Sequence, residues 1–123
     1  MISHIDILVA GEINPDLILA GDVKPVFNQV EKLVDSAALT IGSSSALFSC
    51  GAARLGLKIA FIGVCGKDVF GRFMLDEMQK RNVDVSNVIV QDGQTGLSVI
   101  LSTGTDRAIL THMGLISALR ASD

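Results

Sequence analysis

Residues 41–71 read Ile-Gly-Ser-Ser-Ser-Ala-Leu-Phe-Ser-Cys-Gly-Ala-Ala-Arg-Leu-Gly-Leu-Lys-Ile-Ala-Phe-Ile-Gly-Val-Cys-Gly-Lys-Asp-Val-Phe-Gly. Gly42 and three serines, Ser43 to Ser45, come first. Serine oxygens suit the start of a helix because they accept from its free N–H groups. Ala46, Ser49, Cys50, Gly51, Ala52 and Ala53 follow, small enough for that helix to lie close against a sheet. Gly56 supplies the left-handed residue that ends it. Lys58 to Gly63 is a short apolar run, the pattern of a strand covered on both faces. Gly63, Gly66 and Gly71 then punctuate a turn into a second helix. A polar helix start beside a buried strand is a common place for a small-molecule site.

Working outward, Asp68 to Arg81 is amphipathic. Val69, Phe70, Phe73, Met74 and Met78 recur at three- and four-residue steps, while Arg72, Asp76, Gln79 and Lys80 face out. Asp68 reads as the N-cap and Asn82 as the stop. Upstream, Ile5 to Gly11 reads as a buried strand. Pro15 forbids a helix interior and suits an edge strand or a turn. Ala37 to Ile41 reads as a strand that pairs with Asp16–Ala20 in a small sheet separate from the main one. Residues 21–35 are mixed, with Pro25 and a short helical piece near Val30–Val34. Downstream, Val88 to Val90 is a short strand. Thr95 to His112 reads as a β-hairpin turning at Thr103-Gly104-Thr105-Asp106. Leu115 to Asp123 reads as the start of another helix.

The chain has 123 residues, enough for one small domain or part of a larger one. Aromatic residues are only 4% of it, so the core must be aliphatic. A net charge of −3 without a basic run argues against a nucleic-acid partner. Cys50 and Cys65 both fall in apolar segments and read as buried free thiols of a reducing compartment. No Cys/His cluster has metal-ligand spacing. No apolar run approaches a membrane span, and the start of the chain lacks a signal-peptide core. A soluble, cytoplasmic protein is expected. Gly66-Lys67-Asp68 lacks the Ser or Thr of a P-loop. Gly63-x-x-Gly66 has the wrong spacing for a dinucleotide fingerprint. His4 and His112 lie too far apart in sequence to argue a Ser-His-Asp arrangement.

The pattern in residues 41–71 resembles the first signature of the ribokinase-like (PfkB) carbohydrate kinases. Gly42, Arg54-Leu55-Gly56, Gly63, Gly66, Asp68 and Gly71 match it. Ser43 stands where a second Gly is usual, and Leu47 where an Asn is usual. The resemblance runs from residue 5 to about 115 and implies an α/β, ribokinase-like partial sheet with flanking helices and a small β-lid. Its lid strands would be about 13–20, 36–41 and 95–112. It also implies that Gly-x-x-x-x-Asp, ending here at Asp16, brings a carboxylate to a sugar, with Asn14 two residues before it. A carboxylate accepts from paired hydroxyls. The same Asn14-Pro15-Asp16 run also reads as a plain turn with an Asx hydrogen bond.

The resemblance therefore implies a carbohydrate kinase that moves the γ-phosphoryl group of Mg-ATP to a sugar hydroxyl. Asn14, Asp16, Gly42, Ser43, Ser44 and Ser45 would position the sugar under the lid. The family's Gly-Ala-Gly-Asp run, which carries the general base and part of the ATP site, does not occur in this sequence. ATP and Mg²⁺ are accordingly expected for a complete enzyme, and neither is expected to bind this chain tightly. Two rivals stand beside that reading: a non-catalytic binding or assembly module, and a nucleoside kinase of the same fold. Self-association through the lid or an exposed sheet edge is also expected. Arg107 and His112 keep two readings each, as ligand contacts or as surface residues.

Overall fold

A computed structural model describes residues 4–123. Three strands form a parallel sheet in the order β1 (Ile7–Ala10), β4 (Ile59–Ile62), β6 (Val83–Asp84). Helix α1 (Ser44–Arg54) leads into β4, and α2 (Val69–Lys80) leads into β6. Both crossovers step the same way across the sheet, so the right-handed rule sends both helices to one face. That face carries Ile59, Phe61 and Val83, packed with Ala46, Cys50, Ala53, Met74 and Met78. The opposite face of β1 is bare: Leu8 is 66% exposed. The outer edge of β1 has no strand partner among the described residues.

The second sheet has four strands in the order β3-β2-β8-β9, from β2 (Pro15–Ala20), β3 (Ser36–Ile41), β8 (Leu97–Ser102) and β9 (Arg107–His112). Strand β2 pairs antiparallel with β3 and parallel with β8. The expected pairing of Ala37–Ile41 with Asp16–Ala20 is present, and so is the hairpin. A third, two-stranded ladder joins β5 (Val64–Gly66) to β7 (Ile89–Gln91).

Local signals explain the helix limits. Ser43 caps α1, its side chain accepting from the Ala46 N–H, and Gly56 follows its end at φ +94°. Asp68 caps α2 through Gly71, and Asn82 closes it at φ +64°. Cys50 and Cys65 are free and buried.

Five expectations are corrected. Pro15 opens an interior strand, not an edge strand or turn. The first position of a strand tolerates its missing N–H, and its neighbours are β3 and β8. Val30–Val34 is not helical: the segment is an irregular connection after a turn at residues 27–29. Positive φ at Asn28 and Gln29 makes that turn. Leu115–Asp123 forms turns in place of a helix, with the Leu115 N–H donating to the Gln94 carbonyl. Val64–Gly66, read as part of a turn, is a strand because β7 lies alongside. Val69 leaves the buried stripe of α2 and is 74% exposed, since as the first helical residue it precedes the turn that faces the core.

Candidate functional site

The strand β2 and the tip of α1 meet at Gly42. A Cβ built on Gly42 would lie 2.5 Å from Asp16 Oδ1 and 2.6 Å from the Asn14 carbonyl oxygen. Real Cβ atoms do not come that close, so only glycine admits the Asp16 carboxylate to this turn. Asp16 and Gly42 therefore share one side of the molecule. Asn14 is 8% exposed beside them. Burial pushes the Asp16 carboxyl above its ordinary value, and the positive Arg107 partly offsets the rise.

The serine hydroxyls turn toward Glu12. The Ser43 hydroxyl donates 2.7 Å to the Glu12 carbonyl. All three hydroxyls, of Ser43, Ser44 and Ser45, lie 3.3 Å from a Glu12 carboxylate oxygen. The Glu12 carboxyl is held below its ordinary value, chiefly by its own backbone N–H, against an upward push from burial, with the three hydroxyls adding to the fall. Glu12 thus braces the helix tip. Ser43 holds φ +68°, a conformation glycine takes at no steric cost.

Register adds residues that the sequence reading missed. Paired residues of adjacent strands share a face. Thr40 pairs with Asp16, Asp16 with Ser98, and Ser98 with Thr111. One polar row therefore crosses all four strands, and Ser98 and Thr111 join their hydroxyls at 2.9 Å. The next row on that face is Ala38, Ile18, Ile100 and Ile109, and the row after it ends in Arg107. Nothing local marks Ser98 or Thr111; only the pairing brings them to Asp16. His112 falls on the opposite face, paired with Leu97, and Leu47, on α1, is 54% exposed.

Each helix start already faces a carboxylate of this chain, Glu12 at α1 and Asp68 at α2. No three His, Cys, Asp or Glu among the described residues gather as metal ligands would. A separate groove of about 560 Å³ lies between α2 and the β5–β7 ladder, lined by residues including Lys67, Arg72, Leu75 and Val90. It holds none of the expected site residues.

A parallel α/β sheet beside a second sheet, with a glycine turn and a carboxylate where the two meet, defines an α/β protein. The family model of pfkB family carbohydrate kinases matches residues 5–123, and the chain belongs to that family. A 5-dehydro-2-deoxygluconokinase of Geobacillus thermodenitrificans is 34% identical over 83 residues, which are 65% of this chain and 25% of that protein. Among solved structures, Halothermothrix orenii fructokinase superposes with a TM-score of 0.78 at 23% identity, over 97% of this chain and 41% of that one. Giardia lamblia ribokinase gives 0.81 at 20% identity, over 97% and 37%. The last two show the fold alone. The chain spans about a quarter of the length of the curated relatives it matches.

Proposed function

We propose that this chain is the sugar-holding and covering part of an ATP-dependent carbohydrate kinase. The observation that carries the reading is the contact of Asp16 with the Gly42 turn. There a carboxylate raised by burial faces a helix tip stiffened by Glu12. A carboxylate in that setting accepts from two adjacent hydroxyls of a polyol, and Asn14 adds a polar group beside it. The row Thr40, Ser98, Thr111 extends the polar lining, and the four-stranded sheet acts as a cover that keeps water from the bound sugar. ATP with Mg²⁺ would supply the phosphoryl group in the complete enzyme. The neutralised helix starts support assigning its binding to other residues, so this chain alone transfers no phosphate. A cytoplasmic location goes with that role.

The bare Leu8 face and the free edge of β1 support a further part of the reading: this chain works against more polypeptide. The apolar side of the four-stranded sheet, with Leu110 63% and Leu39 37% exposed, supports self-association through that sheet.

A thermal-shift screen of neutral ketoses, aldoses, sugar acids and nucleosides tests the proposal. At least one sugar should raise Tm, and Asp16→Ala should abolish that rise. A sugar response that survives Asp16→Ala takes Asp16 out of the site. A response to nucleosides alone favours the nucleoside kinase.

A further inference from the structure

Asp68 does more than cap a helix. Its Oδ1 accepts from the Gly71 N–H at 2.9 Å, the ordinary capping bond. The same oxygen accepts from the Thr95 hydroxyl at 2.7 Å, and Oδ2 accepts from the Thr95 N–H at 2.8 Å. The Thr95 oxygen in turn accepts from the Gly66 N–H at 2.8 Å. Thr95 is 2% exposed and lies two residues before β8. One carboxylate therefore ties three segments together: the end of β5, the first turn of α2 and the root of β8. A helix cap needs one acceptor, which Ser or Asn can supply; gripping both Thr95 donors needs two.

The packing leaves no slack. A Cβ on Gly71 would come within 2.9 Å of Thr95 Oγ1 and closer still to the Gly66 carbonyl. The chain leaving β9 returns to the same place, where the Leu115 N–H donates to the Gln94 carbonyl at 2.9 Å. Two contacts at opposite ends of the joint tie the four-stranded sheet to the body. One is the Glu12–Ser43 and Asp16–Gly42 corner, and the other is Thr95. Burial pushes the Asp68 carboxyl up, but the Thr95 hydroxyl and the backbone donors outweigh it and keep the acid ionised.

We propose that Asp68 is a positioning residue, which through Thr95 fixes the root of β8 and so sets where the Asp16–Ser98–Thr111 row stands relative to the α1 tip. The ligand consequence rests on the sugar reading above, but the mechanical one does not. Without the Thr95 anchor the root of β8 loses its tie to the first turn of α2. The row then loses its fixed distance to the helix tip while the three-stranded sheet keeps its packing.

The test is amide hydrogen exchange on the full chain, comparing wild type with Asp68→Asn, Thr95→Val and Thr95→Ser. Asp68→Asn and Thr95→Val should speed exchange in residues 97–102 and 107–112 by about tenfold or more, and in residues 59–62 by less than about twofold. Thr95→Ser should match wild type. Equal acceleration in all three segments would reduce the pair to general stability, and unchanged exchange in β8 and β9 would overturn the proposal. If Asp68→Asn does not fold, Thr95→Val, which leaves the Asp68–Gly71 cap intact, decides. With a sugar that stabilises wild type, Thr95→Val should weaken its binding about tenfold and Thr95→Ser should not. If no sugar stabilises wild type, the exchange result still stands and only the sugar reading falls.

Discussion

Strands β4 and β9 come from one chain and lie in opposite surroundings. In β4, Ile59, Ala60 and Phe61 are buried, whereas all six residues of β9 are exposed. The parallel sheet draws its stability from helices laid over one face and apolar side chains under them. The four-stranded sheet has no helix of its own. It stands on ladder hydrogen bonds and on attachments that include those at Gly42 and at Thr95. The molecule therefore pairs a packed body with a thin plate, and the candidate site lies where the plate joins the body.

The largest effect should come from breaking the body. Phe61 is fully buried, and Phe61→Ala should cost about 3–5 kcal/mol in urea unfolding. If the plate depends on the body, probes in β8 and in β4 should lose structure at the same urea concentration. A lower midpoint for β4 than for β8 would contradict that dependence.

Next comes the joint. Gly42→Ala places a methyl group against Asp16 and the Asn14 carbonyl, and should cost about 1–3 kcal/mol as well as any sugar-induced rise in Tm. A variant with wild-type stability and a wild-type sugar response would mean that the corner can open freely.

The two buried-side carboxylates should respond to pH with opposite sign. Asp68 has a lowered folded value, so its contribution is present above the ordinary carboxylate range and lost as pH falls through that lowered value. Asp68→Asn should thus lower Tm at pH 7, with the gap closing in acid. Asp16 has a raised folded value, chiefly from burial, so its ionised form costs stability, and that cost appears as pH rises through the raised value. Asp16→Asn should raise Tm at pH 7, lose the advantage in acid, and lose the sugar response throughout. Stability given up at one carboxylate is a common mark of a binding residue. Parallel pH profiles for the two variants would contradict the assignment.

The smallest effect on folding lies on the plate's outer side. Leu110→Ser should change unfolding free energy by no more than about 0.5 kcal/mol, yet it should lower any self-association seen in sedimentation. Unchanged association would move the contact elsewhere.

The body was legible in the sequence because its signals are local. Ser43, Gly56, Asp68 and Asn82 mark helix ends by their own chemistry, and the stripe Phe73, Met74, Met78 marks a buried face by spacing alone. The plate's strands could also be read, and the match of Gly42 and Asp16 to two family motifs anticipated their meeting. What stayed hidden depends on partners distant in sequence. Val64–Gly66 becomes a strand only because β7 arrives beside it. Leu115–Asp123 settles into turns beside Gln94, whose carbonyl accepts the Leu115 N–H. Glu12 gives no sign in its own neighbourhood that three serines will turn to it, and Thr95 gives none that it will meet Asp68. The segment 21–35 has no periodic pattern, and its backbone follows a turn at Asn28 and Gln29 that neither residue type announces strongly.

The parallel pairing of β2 with β8 joins Asp16 to Ser98, one near the start of the chain and the other well past its middle. Closing so long a loop is slow compared with winding a helix. During synthesis, α1, β4 and α2 can gather first, while Asp16 must wait beside Gly42 for a neighbour not yet made. For that interval the flank of β2 that β8 will cover stands unpaired and open to wrong partners.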